Sequence, residues 1–187
     1  MKALFTAHIS YNRDTIMCLS KTIYNMYGGK IKAAIVSGGL LLAAAGFIFG
    51  IHTAAGMSLV AAACLLLCQV QYPAVYKAKQ VIKAFNGNLP EISYDFREDD
   101  FIIHIGETRQ TYSYSLLINL AEDREYLYLF PDRSTAFTLE KSDFQQGNTV
   151  DFMRFLSEQT KLEWNQYRPL WMLNLPAVMQ KVRKKQR

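Results

Sequence analysis

The sequence predicts a membrane-anchored α+β protein. Its parts are a two-helix transmembrane hairpin, then a small antiparallel sheet capped by a C-terminal helix. Three observations predict this. Residues 33–70, "AAIVSGGLLLAAAGFIFGIHTAAGMSLVAAACLLLCQV", contain no charged residue. From Glu91 the chain turns to short runs rich in Ile, Tyr, Phe and Thr that alternate in polarity, separated by polar turns. Phe152, Phe155, Leu156, Gln159 and Leu162 then recur at the i, i+3, i+4 spacing of one helical face.

Residues 1–32 read as a cytoplasmic strand and amphipathic helix. "ALFTAHIS" alternates weakly. Asn12 or Asp14 offers an N-cap to a helix carrying Ile16, Leu19, Ile23 and Met26. The charge-free run follows. A secretion signal would put about 7–15 apolar residues near the start, before a cleavage site, whereas here 32 residues of mixed polarity come first. As one helix the run would be roughly 57 Å long, nearly twice the ~30 Å hydrocarbon core of a bilayer. It is interrupted at Gly50-Ile-His-Thr-Ala-Ala-Gly56, where His52 and Thr53 form its only adjacent polar pair. Two spans, 33–51 and 54–72, joined by a tight turn fit the run. "YPAVYKAKQVIKAFNGN" reads as the second helix continuing through 73–90, kinked at Pro73 and ended by Asn86-Gly87-Asn88.

Charge orients the hairpin. Lys21, Lys30 and Lys32 precede it, Lys77, Lys79 and Lys83 follow it, and the turn has neither Lys nor Arg. Lysines at both flanks put both termini in the cytoplasm and the turn outside. Tyr24, Tyr27, Tyr72 and Tyr76 fall where an interfacial aromatic belt belongs.

Residues 91–167 read as the cytoplasmic domain, built from "EISYDF", "DFIIHIG", "RQTYSYSLLINL", "EYLYLF", "TAFTLE" and the capping helix. The expectation is that residues 88–167 fold alone. Phe155→Ala would then cost about 3–5 kcal/mol if that side chain is fully buried. This domain holds seven basic and fifteen acidic groups, a net −8. Residues 1–90 hold eight Lys/Arg against the single acid Asp14, and the tail, 168–187, six basic residues and no acid. The overall +5 is thus concentrated beside the membrane and in the tail, and does not point to nucleic acid. In the tail, Leu170, Trp171, Leu173, Leu175, Val178 and Met179 precede Lys181, Arg183, Lys184, Lys185 and Arg187. Apolar anchors beside a basic cluster suit a bilayer surface, while Pro169 and Pro176 break any single regular helix.

No constellation names a reaction. His8, His52 and His104 are widely separated, and no HExxH, paired CxxC, GxSxG or phosphate-loop pattern occurs. No catalytic residue, metal site or cofactor is expected. Asp99-Asp100 and Glu122-Asp123 fall in expected turns, where carboxylates are ordinarily solvated. Cys64 and Cys68 lie one helical turn apart and are expected to pack against the first span. Gly46 and Gly50 form a GxxxG, and Ala54, Ser58 and Ala62 repeat small residues every four. Such faces allow close helix packing in lipid, within the hairpin or between copies in a homo-oligomer.

A helix-led amino terminus, a two-span hairpin, a run of strands and "TLEKSDFQQGNTVDFMRFL" resemble the bacterial YcxB-like membrane protein family over residues 3–162. Lys141 and Phe144 match that family's Lys and Phe before the helix. Tyr114-Ser115 stands where many members have Trp-Ser, and Glu140 where many have Pro. The resemblance implies a pleckstrin-homology-like (PH-like) cytoplasmic domain on the bacterial inner membrane, with no established catalysis. The expected function is a non-enzymatic interaction or regulatory module tethered to the lipid bilayer, with a protein partner. The scattered basic residues of 91–167 disfavour an anionic ligand for the domain itself. A small oligomer acting on the bilayer or a solute is the alternative, and a membrane enzyme the third reading.

Overall fold

The computed structural model describes residues 3–86 and 88–166. The fold is mixed α+β. Its elements are β1 (Phe5–Ser10), α1 (Arg13–Tyr27), α2 (Gly29–Ile48), α3 (Ala54–Cys68), α4 (Tyr72–Ala84), β2 (Glu91–Phe96), β3 (Asp100–Ile105), β4 (Thr108–Ser113), β5 (Asn119–Glu122), β6 (Tyr126–Phe130), β7 (Phe137–Glu140), β8 (Phe144–Gln146), α5 (Thr149–Thr160) and β9 (Trp164–Gln166). They fall into two compact units. Among the described residues, one comprises 3–9, 93–132 and 137–166, and the other 10–86, 88–92 and 133–136.

The sheet unit has a five-stranded sheet in the order β4-β3-β2-β1-β8 and a four-stranded sheet in the order β7-β6-β5-β9. β3 and β4 pair antiparallel through a two-residue turn at Gly106-Glu107, with Ile105 opposite Thr108. β5, β6 and β7 form an antiparallel meander. Its β5–β6 turn is set by Asp123, whose Oδ1 accepts from the backbone N–H of Glu125 at 2.8 Å and of Tyr126 at 2.7 Å. That is the local bonding that makes Asp a turn residue. β9 is the one parallel partner among the described strands, adding beside β5 with Leu120 opposite Trp164.

An aromatic core joins both sheets to α5. Phe101 stacks on Phe96, Tyr112 and Tyr114 and meets Phe137 of the second sheet edge-on. Phe152 of α5 lies edge-on to Phe96 and Phe5 and tilted against Phe144. α5 begins where Asn148 Oδ1 caps the Asp151 N–H at 2.8 Å. It ends where Lys161 adopts a left-handed conformation. The Trp164 indole N–H then donates to Met153 O at 3.0 Å, tying β9 back to the helix. Tyr114 donates to Arg97 O at 2.7 Å. Burial, and then the nearby Asp100 carboxylate, hold its phenol well above the ordinary range.

Several expectations are corrected. Residues 91–167 are not a complete sheet: β1, from the amino terminus, lies between β2 and β8, with Ala7 and Ile9 buried. Residues 1–32 therefore do not act as one segment, because their strand joins the sheet while α1 groups with the helices. The run "RQTYSYSLLINL" is two strands separated by a 3₁₀ turn at Tyr114–Leu116, where Ser113 Oγ caps Ser115. Phe155 is only half-buried and Gln159 is exposed, so Phe152 and Leu156 carry the buried face of α5.

In the helical unit, α1 packs on α4, burying Ile16 and Ser20 on one and Ala74 and Ala78 on the other. α2 is the one helix among the described residues long and apolar enough to cross a membrane by itself. α3 passes that test only together with α4, across a 48° bend. The second apolar helix thus ends at Cys68 rather than 72, and α4 is a separate helix rather than a kinked continuation. Pro73 sits in its first turn, where its missing N–H is not needed.

Candidate functional site

The expected packing and membrane-surface residues all belong to the helical unit, apart from those in the tail. α2 and α3 run side by side. The turn between them is built by Gly50 and Thr53. Gly50 has φ +89, a conformation that costs residues with a Cβ. Thr53 bonds back to Gly50 O at 2.8 Å through its hydroxyl, which also caps α3 by accepting from the Gly56 N–H at 3.0 Å.

Contact between the helices depends on small residues, though not all those expected. A Cβ on Gly46 would lie 2.7 Å from Val60 Cγ2 and 2.9 Å from Gly56 O. One on Gly56 would meet Gly46 O at 2.8 Å and Gly50 O closer still. Further along, Gly39 lies against Leu67, and Ala63 is buried. The packing face of α3 is therefore Gly56 and Ala63, with Val60 and Leu67. Ala54, Ser58 and Ala62 are exposed on other faces, and the Ser58 hydroxyl bonds to Ala55 O within its own helix. Cys64 and Cys68 are exposed as well, so the expected packing of these thiols against the first span is corrected.

Gly56→Ala drives a methyl into backbone oxygens that cannot rotate away. A cost of roughly 1–3 kcal/mol to hairpin packing follows, seen as a lowered thermal midpoint of the full chain in detergent. Ala62→Leu, on an exposed face, leaves that midpoint in place.

At the other end of the hairpin, a single carbonyl gathers both strands of the chain. Asn25 Oδ1 on α1 accepts from Lys32 Nζ at the start of α2 and from Gln71 Nε2, just before α4, at 3.2 Å. The Lys32 ammonium also lies 4.9 Å from the centre of the Tyr24 ring, a cation–π contact. Burial raises the Tyr24 phenol above its ordinary pKa. Lys30, Lys77, Lys79 and Lys83 are exposed. Lys181, Arg183, Lys184 and Lys185, with the apolar anchors of the tail, lie outside the described residues.

Many polar groups of the sheet unit hold it together. Lys141 Nζ donates to Glu122 Oε2 at 2.6 Å and to Asp123 O at 2.7 Å, linking the ends of β7 and β5. Tyr128 donates to Asp123 Oδ2 at 2.6 Å. His104 meets Asp95 at 3.0 Å across β3 and β2, and His8 meets Asp143 at 3.1 Å. Asp100 pairs with Arg97 at 3.9 Å across the β2–β3 turn. Ser113 and Ser115 bond to one another, and Ser142 donates to Glu140. Among the described residues, no three His, Cys, Asp or Glu side chains converge as metal ligands. The His–carboxylate contacts between strands were not legible in the sequence, because nothing in the spacing of His8 and Asp143 or of Asp95 and His104 marks them as sheet neighbours.

No protein-family model matches the chain, and no curated protein matches it significantly.

Proposed function

We propose that the chain is a bacterial inner-membrane protein. A two-span hairpin tethers a PH-like, non-enzymatic interaction module to the cytoplasmic face. The observation that carries this reading is the pairing of β1 with β2. They are neighbours in one sheet, and Tyr11 N–H donates to Pro90 O at 3.2 Å. A chain that leaves one side of a membrane after β1 must return to that side before β2. The number of crossings between them is even. If α2 crosses, α3 and its flanking turns bring the chain back.

The surface of the helices supports the same reading. Leu40, Leu41, Phe47 and Ile48 of α2 and Met57 and Leu65 of α3 are all at least 60 % exposed, and only 11 % of the apolar window of α2 is buried. A core helix of a soluble protein buries such residues, whereas a lipid-facing helix presents them to acyl chains. α3 spans about 22 Å. That is short for a bilayer core, but local thinning and the flanking turns accommodate such mismatch at modest cost.

For the domain, resemblance to the YcxB-like family and an acidic surface favour a protein partner over an anionic small ligand. β4, at the edge of the five-stranded sheet with exposed Thr108, Arg109, Gln110 and Thr111, suits strand addition by an extended peptide. A second reading, a small membrane oligomer, is favoured by the exposure of Ala54, Ser58 and Ala62, which leaves small residues free to meet another copy. The tether is tested by alkaline carbonate extraction of membranes containing the full chain. It is expected in the pellet, and release into the supernatant would refute an integral anchor.

A further inference from the structure

We propose that the outward face of α4 is a docking strip for anionic phospholipid headgroups, on the side of the bilayer that holds the termini. This rests on the hairpin reading above and adds a lipid preference to it.

Tyr72, Tyr76, Lys79 and Lys83 stand at i, i+4, i+7 and i+11. At 3.6 residues per turn they share an arc of about 60°. All four are exposed, Tyr72 by 58 % and Tyr76 by 51 %, and the two Tyr rings stack on each other 6.1 Å apart. The opposite face, with Ala74 and Ala78, is buried. α4 contains no acidic residue. Two stacked aromatics therefore remain in the open on a helix that has already buried its apolar face.

The order of the strip matches the depth profile of an interface. The tyrosines come first, immediately after the apolar helix, and the lysines follow. The 48° bend between α3 and α4 keeps the lysines low. With α3 along the bilayer normal, Lys79 and Lys83 rise only about 7 and 11 Å above Tyr72, against roughly 16 Å for Lys83 on a straight helix. A headgroup layer is about 5–7 Å deep on each side. A long Lys stem that reaches down closes the remaining gap at 48° and does not on a straight helix. The occupant is fixed by charge: the strip is cationic, and it follows in the chain on the apolar helix α3, where Leu65 and Cys68 are exposed. Amphipathic rings at the headgroup level and ammonium groups on phosphate are the two contacts that an anionic leaflet accepts.

Lys77 supplies an internal control. It is exposed on the same helix but lies about 130° round from the centre of the strip. The experiment is acetylation of the full chain in nanodiscs of phosphatidylcholine alone or mixed with phosphatidylglycerol, with the rate at each lysine read by mass spectrometry. Docking predicts that Lys79 and Lys83 slow several-fold in the anionic discs and Lys77 much less. High salt should lift the protection, as should Tyr72→Ala combined with Tyr76→Ala. Equal slowing of Lys77, Lys79 and Lys83 would reduce the effect to general surface potential and overturn the proposal. Protection of equal size in neutral discs would assign the strip to a protein contact and overturn it too. Retention in the discs with no protection at either lysine sinks the docking strip and leaves the hairpin standing. Failure to enter the discs removes both.

Discussion

Residues 88–167 expressed alone should show no cooperative unfolding transition. Removing β1 takes a strand out of the interior of a sheet, leaving β2 and β8 each without the neighbour they are bonded to. It also removes Ile9 and Ala7, both fully buried, and Phe5, which packs on Phe152 and Phe155. A buried large apolar side chain contributes about 1.5–3 kcal/mol, and each buried backbone group left unpaired costs about 1–3 kcal/mol more. Together these reach the 5–15 kcal/mol that holds a typical domain. The same contacts indicate the repair. Because Tyr11 and Pro90 are bonded through their backbones, the helical segment is an insertion in a β1–β2 connection. Residues 3–11 joined by a short Gly-Ser linker to residues 90–167 should restore a sigmoidal melt by circular dichroism. A cooperative melt from residues 88–167 alone would show that β1 is dispensable.

Phe152→Ala in that linked chain should cost about 3–5 kcal/mol. Phe152 is fully buried, 4.6 Å from Phe96, 5.1 Å from Phe144 and 5.5 Å from Phe5 by ring centres. Its loss opens a cavity shared by three strands and α5. Phe155→Ala should cost less, since that ring is only partly buried and its neighbours Phe5 and Tyr114 remain supported. Urea titration of the two variants gives the comparison. An equal or larger loss at Phe155 would mean that α5 is rotated from the position described.

The helices and the longer strands were legible in the sequence because their signals are local. A charge-free run needs no tertiary context to be read, and neither does the alternation in "EISYDF" or the Asn148 cap. What stayed hidden depended on distant partners. β8 and β9 are three residues each, too short to show a period, and β9 exists only because Leu120 to Glu122 lie beside it. Nothing in "FTAHIS" says that it belongs between "EISYDF" and "FQQ", some 90 and 140 residues on. The packing face of α3 was misread for a physical reason. A helix that is apolar on nearly all sides carries no polar stripe to set its phase, so Ala54-Ser58-Ala62 and Gly56-Ala63 are equally small in sequence. Only the approach of Gly46 and Gly50 selects the second. A kink was legible at Pro73, but the break of the helix at Gln69, Val70 and Gln71 was not, because these uncharged residues include neither glycine nor proline.

Crossing the membrane twice, with both termini inside, is the claim on which the functional reading stands. The most direct measurement places a reporter active only outside the cytoplasm at Thr53 and, separately, after Arg187, with a fluorescent protein that matures only in the cytoplasm as the converse. An even number of crossings with lysine-rich flanks inside predicts export activity at Thr53 alone and fluorescence after Arg187. Export activity after Arg187, or fluorescence at Thr53, would contradict it.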